Sequence, residues 1–275
     1  MIKTWFITGV SAGFGRLMTE HLLARGDCVV GTTRRDGTLD HLHEAYGDRF
    51  VEVSLDLTDT ASIWTAVNDA FARVSRVDVV VSNAGYGLFG AAEEMTDAQI
   101  DRQIATNLTG SIQLIRAVLP HLREQGGGRI VQVSSEGGQI AYPNFSLYHA
   151  SKWGIEGFIE SVAQEVAPFG IDFIIAEPGP TDTQFAKSLE HSAPMAIYED
   201  TPAGEMRRAV ADGSFEIKGD AERTVAAMIS AAAETAPPFR LPLGSTAYNS
   251  ISSALTQRLA MIKAQREMAF SADRV

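Results

Sequence analysis

Tyr148 and Lys152 stand four positions apart in Tyr148-His149-Ala150-Ser151-Lys152. On a helix this spacing sets both side chains on one face, where an ammonium can stabilise a phenolate. A free tyrosine titrates near about 10, so a fixed cation beside it makes it a more useful acid or base near neutrality. By itself such a pair is structural more often than catalytic, and it gains meaning from its setting. A second constellation is Thr8-Gly9-Val10-Ser11-Ala12-Gly13-Phe14-Gly15, which follows a short apolar run and opens a helix. Gly9 permits a tight turn, Gly13 lets the backbone approach a pyrophosphate, and Gly15 allows close helix packing, while the helix N-terminus presents amide donors. Ser11 and Phe14 lie in the same turn and count with it as nucleotide contacts.

Between strand and helix, this turn favours dinucleotide binding over an ordinary glycine turn. The end of the second strand should tell which dinucleotide, because an acidic residue there would bind the adenosine ribose hydroxyls of NAD. The chain reads Thr32-Thr33-Arg34-Arg35, with Asp36 only after both arginines. Arg34 and Arg35 can pair with the 2′-phosphate of NADP and stack on adenine, so NADP(H) is the expected cofactor. The plainer alternative is two solvated surface arginines.

The elements that must carry these groups alternate along the chain. Apolar, β-branched runs at Trp5–Thr8, Val29–Thr33, Phe50–Val53, Val77–Val81, Ile130–Val133 and Ile171–Ile175 read as buried strands. Segments of helical period separate them, for example Leu17, His21, Leu22 and Ala24, and later Ile63, Val67, Ala70, Phe71 and Val74. Such alternation builds right-handed βαβ units and a parallel sheet covered on both faces. The period fails across Thr181–Glu216, which reads as a substrate lid or as a packed surface excursion of two short helices. An alanine-rich helix at Ala221–Ala233, a brief strand at Phe239–Leu241 and an amphipathic helix from Ser245 complete the reading. One domain over 1–275 is expected, with 181–216 the lid and 244–270 a C-terminal helical extension.

Composition excludes several classes. The chain has 34 acidic against 23 basic side chains and a formal charge of −11, with no basic patch, so nucleic acid and anionic membranes are poor partners. No apolar run approaches the roughly 20 residues needed to span a bilayer. The single cysteine, Cys28, lies in an apolar run, reads as a buried strand residue and suits a reducing compartment. Cytoplasmic residence is the expectation. The six histidines show no metal-ligand spacing, His149 faces away from Tyr148, and no metal is expected.

Taken together these motifs resemble the short-chain dehydrogenase/reductase family over nearly the whole chain. The glycine turn matches the family's Thr-Gly-x-x-x-Gly-x-Gly, and Tyr148 and Lys152 match its active-site pair. Ser82-Asn83-Ala84-Gly85 resembles its Asn-Asn-Ala-Gly, with Ser82 a departure conservative in polarity. Ser135 lies thirteen residues before Tyr148, where the family places its catalytic serine. Ser134 is one residue off, and alternation at a strand end points it to the opposite face. Asn107, in Thr106-Asn107-Leu108-Thr109-Gly110, corresponds to the family's fourth catalytic residue. Pro178-Gly179-Pro180-Thr181-Asp182-Thr183 looks like its Pro-Gly-x-x-x-Thr, with Pro178, Gly179, Thr181 and Thr183 near the nicotinamide carboxamide. Asp56, beside Leu57, resembles the acidic residue near the adenine and reads equally as a helix cap.

The resemblance implies a Rossmann-type doubly wound α/β sandwich with a mostly parallel seven-stranded sheet and helices on both faces. It implies an NADP(H)-dependent oxidoreductase interconverting ketones or aldehydes and alcohols. Tyr148 would give the proton, Ser135 would hold the carbonyl oxygen, Lys152 would lower the tyrosine pKa and hold the nicotinamide ribose, and Asn107 would position a water. Tyr86, Leu88 and Phe89 line a substrate pocket or simply pack the core. The methionines of 181–216 suggest a roomy lipophilic pocket for a bulky carbonyl. Rival readings are an NAD-dependent alcohol or hydroxysteroid-type dehydrogenase and a non-catalytic NADP-sensing protein. A homodimer or homotetramer through helices near 106–124 and 148–168 is expected.

Overall fold

The computed structural model describes residues 2–34 and 37–274. Along them run β1 (Thr4–Thr8), α1 (Gly13–Ala24), β2 (Cys28–Thr33), α2 (Asp40–Tyr46), β3 (Phe50–Ser54), α3 (Thr60–Arg73), β4 (Val79–Ser82), β5 (Leu88–Phe89), α4 (Asp97–Ile104) and α5 (Gly110–Glu124). There follow β6 (Gly128–Val133), α6 (Ser146–Val166), β7 (Ile171–Pro178), α7 (Gln184–Lys187), β8 (Glu190–His191), α8 (Pro202–Ala211), α9 (Ala221–Ala233), β9 (Arg240–Leu243), α10 (Ser245–Ala264) and α11 (Arg266–Phe270). Seven strands form one sheet in the order β3-β2-β1-β4-β6-β7-β9, with every neighbouring pair parallel.

The two-residue period of the strands divides the core. Phe6, Val80 and Ile130 point into the layer beneath α3, α5 and α6, where they meet Ile63, Val67, Leu114 and Ile155. Trp5, Ile7, Val79, Val81 and Val131 point into the layer beneath α1 and α9, against Met18, Leu22, Val225 and Met228. Strands buried on both faces explain why their sequence is continuously apolar rather than alternating. The expected doubly wound sandwich is therefore the observed one. Cys28 lies in β2 but is only half-buried.

The strand order reverses between β1 and β4, which opens a crevice at the carboxyl ends of the sheet. Residues 181–216 lie over that end as short elements. β8 pairs in parallel with β5 through Leu88↔Glu190 and Phe89↔His191. The Glu94 carboxylate accepts from Met195 N at 2.8 Å and from Arg207 Nη2 at 2.7 Å, so one buried acid fixes two points of the segment. Leu88 and Phe89 are core residues. Among the described residues no helix is long and apolar enough to cross a membrane.

Candidate active site

The glycine turn is stitched to the end of β4. Gly9 adopts φ +73°, in the left-handed region that disfavours a side chain. A Cβ on Gly15 would lie 2.3 Å from the Gly9 carbonyl oxygen, so glycine is required for α1 to start this close to the turn. Thr8 Oγ1 accepts from Asn83 N and Ala84 N, each at 3.0 Å, and Asn83 Nδ2 donates to Thr8 O at 2.9 Å. Asn83 and Ala84 are thereby fixed beside Gly9, with Asn83 also against Gly15. α1 begins with no side-chain cap and no acidic residue in its first turn, which leaves amide donors open to an anion. Ser11 is exposed on this turn, while Phe14 packs against the layer of α1 and α9.

Arg34 is exposed at the end of β2, and Arg35 lies outside the described residues. Asp56 Oδ1 accepts from Thr58 N at 2.9 Å and from Thr58 Oγ1 at 2.8 Å. These bonds, aided by the charge of Arg34, hold its carboxyl below the usual range. Asp56 is not a helix cap, because α3 is capped by Asp59, whose Oδ1 accepts from Ala61 N. Leu57 is a core residue, which leaves its backbone rather than its side chain for a nucleotide.

Tyr148 and Lys152 share one face of α6. Lys152 Nζ donates to Val133 O at 2.9 Å and stands 5.6 Å from the centre of the Tyr148 ring. Ser135 Oγ accepts from Gly137 N at 3.1 Å and is near enough to Tyr148 to pull its phenol pKa down. Ser134 turns the other way and donates to Glu156 Oε1 at 2.5 Å, as strand-end alternation predicts. Burial pushes the phenol up to about 12, Glu136 and Glu156 add to the rise, and Ser135 opposes it. Burial brings Lys152 down to about 8 against the pull of Glu156. Loss of solvent and the two carboxylates thus favour the protonated phenol.

Asn107 sits in a single widened turn at Ala105–Thr109, a π-helical irregularity of the kind found at functional sites. Its Oδ1 accepts from Tyr86 N at 3.1 Å and its Nδ2 donates to Tyr86 O at 2.8 Å, which fixes the chain next to Gly85. After Pro178 at the end of β7, Gly179 N donates to Leu243 O at 3.0 Å and Thr181 Oγ1 donates to Gly179 O at 2.8 Å. Thr183 caps α7 by accepting from Phe185 N. The Phe185 ring lies 5.6 Å from that of Tyr148, and Phe145 lies 6.2 Å away on the same tyrosine.

Residues 3–194 match the family model described as short chain dehydrogenase. The chain belongs to that family. A short-chain dehydrogenase from Streptomyces avermitilis superposes with a TM-score of 0.90 at 38% identity, covering 99% of this chain and 98% of that one. The oxidoreductase BOA17 of Botryotinia fuckeliana is 36% identical over 245 residues, 89% of each chain. The 3-ketodihydrosphingosine reductase of Bacteroides thetaiotaomicron is 34% identical over 239 residues, 86% of each. The protein is an oxidoreductase of the short-chain dehydrogenase family.

In this short-chain dehydrogenase three side chains that support the site escaped the reading of its sequence: Glu136, Glu156 and His149. His149 is buried, not merely turned away from Tyr148. Its Nδ1 meets Gly137 O at 2.9 Å and its Nε2 accepts from Tyr142 N at 2.9 Å, so the ring ties α6 to the loop that carries Ser135. This pairing assigns the proton to Nδ1. Glu156 extends the Tyr148–Lys152 stripe by one more turn. The glycine pair after Ser135 is the sequence trace of this packing, since a Cβ on Gly138 would lie 1.8 Å from Glu156 Oε1.

Burial holds the His149 imidazole below the ordinary histidine value of 6.5. The unfolded chain therefore binds more protons than the folded one, and stability falls as pH drops below about 6.5. Urea midpoints measured from about pH 7 to about pH 5 are expected to fall more steeply for the wild type than for His149→Gln, which can still donate and accept. Equal slopes would remove this role from His149.

Proposed function

We propose that this short-chain dehydrogenase is an NADP(H)-dependent carbonyl reductase that interconverts ketones or aldehydes and alcohols and reduces a fairly bulky lipophilic carbonyl. The observation that carries the reading is the placement of buried Lys152, anchored to Val133 O at 2.9 Å, 5.6 Å from the centre of the Tyr148 ring, with Ser135 acting on the same phenol. When bound, the nucleotide supplies or accepts the hydride. Tyr148 gives its proton to the carbonyl oxygen, so that negative charge never accumulates there. Ser135 donates a hydrogen bond to the same oxygen and orients it. Lys152 holds the nicotinamide ribose, and Asn107 keeps the backbone at Tyr86 in place beside it. Phe145 and Phe185, which flank the tyrosine, suit an apolar substrate, and residues 181–216 serve as its cover. The relative called a 3-ketodihydrosphingosine reductase acts, by that name, on a ketone, in keeping with this chemistry. A cytoplasmic homodimer or homotetramer belongs to the same proposal, and light scattering reads the assembly directly.

The cofactor fits the residues present: the uncapped start of α1 suits a pyrophosphate, and exposed Arg34 suits a 2′-phosphate. A charge-assisted hydrogen bond contributes about 1.5–3 kcal/mol, so Arg34→Asp is expected to raise KM for NADPH by roughly 10- to 100-fold. KM for NADH should fall or stay level. Steady-state kinetics with both nucleotides measures this, and an unchanged NADPH preference in the variant would contradict the assignment of Arg34.

A further inference from the structure

The helix α10 lies beyond the motifs of the sequence, yet it touches both loops that frame the site. We propose that α10 is the outer support of the Ser135 loop and that Ser250 and Arg258 are positioning residues for the reaction, an inference that rests on the carbonyl reductase reading for its kinetic part. The residue after the catalytic serine is Glu136, buried, with two bonds that use both its oxygens. Tyr142 Oη donates to Oε1 at 2.7 Å, and Ser250 Oγ of α10 donates to Oε2 at 2.7 Å. The Ser250 hydroxyl also lies 2.8 Å from Thr246 O, and the carboxylate, being charged, is the stronger acceptor of its proton. Two turns on, Arg258 Nη2 donates to Gln139 O at 2.7 Å, and its guanidinium lies 4.8 Å from the Trp153 ring. Trp153 in turn donates to Ile140 O at 3.2 Å.

Apolar contact completes the support: Ala247 and Ile251 of α10 pack against Ile140, with Tyr142 alongside. The start of the same helix follows Leu243, whose carbonyl receives Gly179 N from the Pro178-Gly179 loop. The Ser135 loop is thus held from one side by His149 of α6 and from the other by α10. Ser135 and Tyr148 must both reach one carbonyl oxygen, and a displacement of the order of 1 Å in such an arrangement costs up to about 100-fold in rate. Ser250 and Arg258 bond the Ser135 loop and neither the glycine turn nor the Pro178-Gly179 loop, so these two side chains act on turnover rather than on nucleotide binding.

Ser250→Ala, Arg258→Ala and their double variant test this, with Ser250→Thr and Arg258→Lys as conservative partners. Leu259→Ala, on the exposed side of α10, is the control. The double variant is expected to lower kcat by about 10- to 100-fold with KM for NADPH unchanged, and the conservative variants to recover most of the loss. Hydrogen exchange of peptides covering 134–142 should quicken in the double variant and not in Leu259→Ala, with the thermal midpoint retained. Unquickened exchange, or kcat within about twofold of wild type despite quickened exchange, would overturn the proposal. Equal loss in the conservative variants, or loss that follows a lowered thermal midpoint, would also overturn it. A wild type that reduces no carbonyl would fail the functional reading alone, and the exchange measurement would then decide whether α10 holds the loop.

Discussion

Tyr148→Phe is expected to lower kcat for carbonyl reduction by on the order of 10²- to 10⁴-fold, the usual contribution of a positioned acid. The ring sits between Phe145 and Phe185, and phenylalanine keeps those contacts. Only the hydroxyl is lost, so nucleotide affinity and thermal midpoint should hardly move. The pH profile separates Tyr148 from its neighbour. With the phenol pushed up to about 12, it stays protonated across the working range. Lys152, brought down to about 8, is the group that titrates there. It is cationic below that value and neutral above it, so kcat/KM for the nucleotide, which reports the free enzyme, should hold a plateau and fall as pH rises through about 8. The residual activity of Tyr148→Phe should show the same limb. A limb that vanished with the hydroxyl would reassign it to the tyrosine.

The second large effect concerns stability. Arg240→Met is expected to cost about 3–5 kcal/mol, because it leaves two buried carboxylates without their cation. Arg240 Nη1 donates to Glu156 Oε2 and Glu177 Oε1, each at 2.6 Å, and both glutamates are almost wholly buried. Gln139 Nε2 bonds the same pair, and Ser134, next to Ser135 in the chain, completes the cluster. Burial already raises the Glu156 carboxyl, with Arg240 opposing. A carboxyl whose folded pKa is raised binds protons more readily in the folded chain, so its share of stability declines as pH rises from the ordinary carboxyl value through the raised one. Without Arg240 that decline deepens. Denaturant titrations of Arg240→Met should therefore show a larger deficit at about pH 8 than at about pH 5, and Glu156→Gln in the same background should restore part of it. A small deficit independent of pH would show that the carboxylates do not depend on this arginine.

What could be read from sequence follows from what is local. The strands announced themselves because burial on both faces makes them continuously apolar, and the helices because one face must be apolar every three or four residues. The glycine turn was legible since its geometry depends on residues only a few positions apart. Ser135 was separable from Ser134 by its thirteen-residue offset from Tyr148 in the family's pattern and by alternation at the strand end. The supports were not legible, because they pair residues distant in the chain: Glu156 with Arg240, Glu136 with Ser250, Gln139 with Arg258. Periodicity tells which face of α10 is covered but not by what. His149 looked unremarkable for the same reason, its partners being two backbone groups of another loop. Residues 181–216 showed no period because single contacts, such as Glu94 with Arg207 and β5 with β8, hold them rather than a continuous apolar stripe. Spacing reveals the lysine beside Tyr148 but not the depth at which the phenol is buried.

The most direct test of the account is the loss of NADPH absorbance when the purified protein is mixed with a panel of small and bulky ketones, with NADH in parallel. Turnover with NADPH that favours the bulkier, more apolar ketones is the predicted result. Saturable binding of NADPH without oxidation by any carbonyl would contradict it and leave a protein that senses the nucleotide instead of using it.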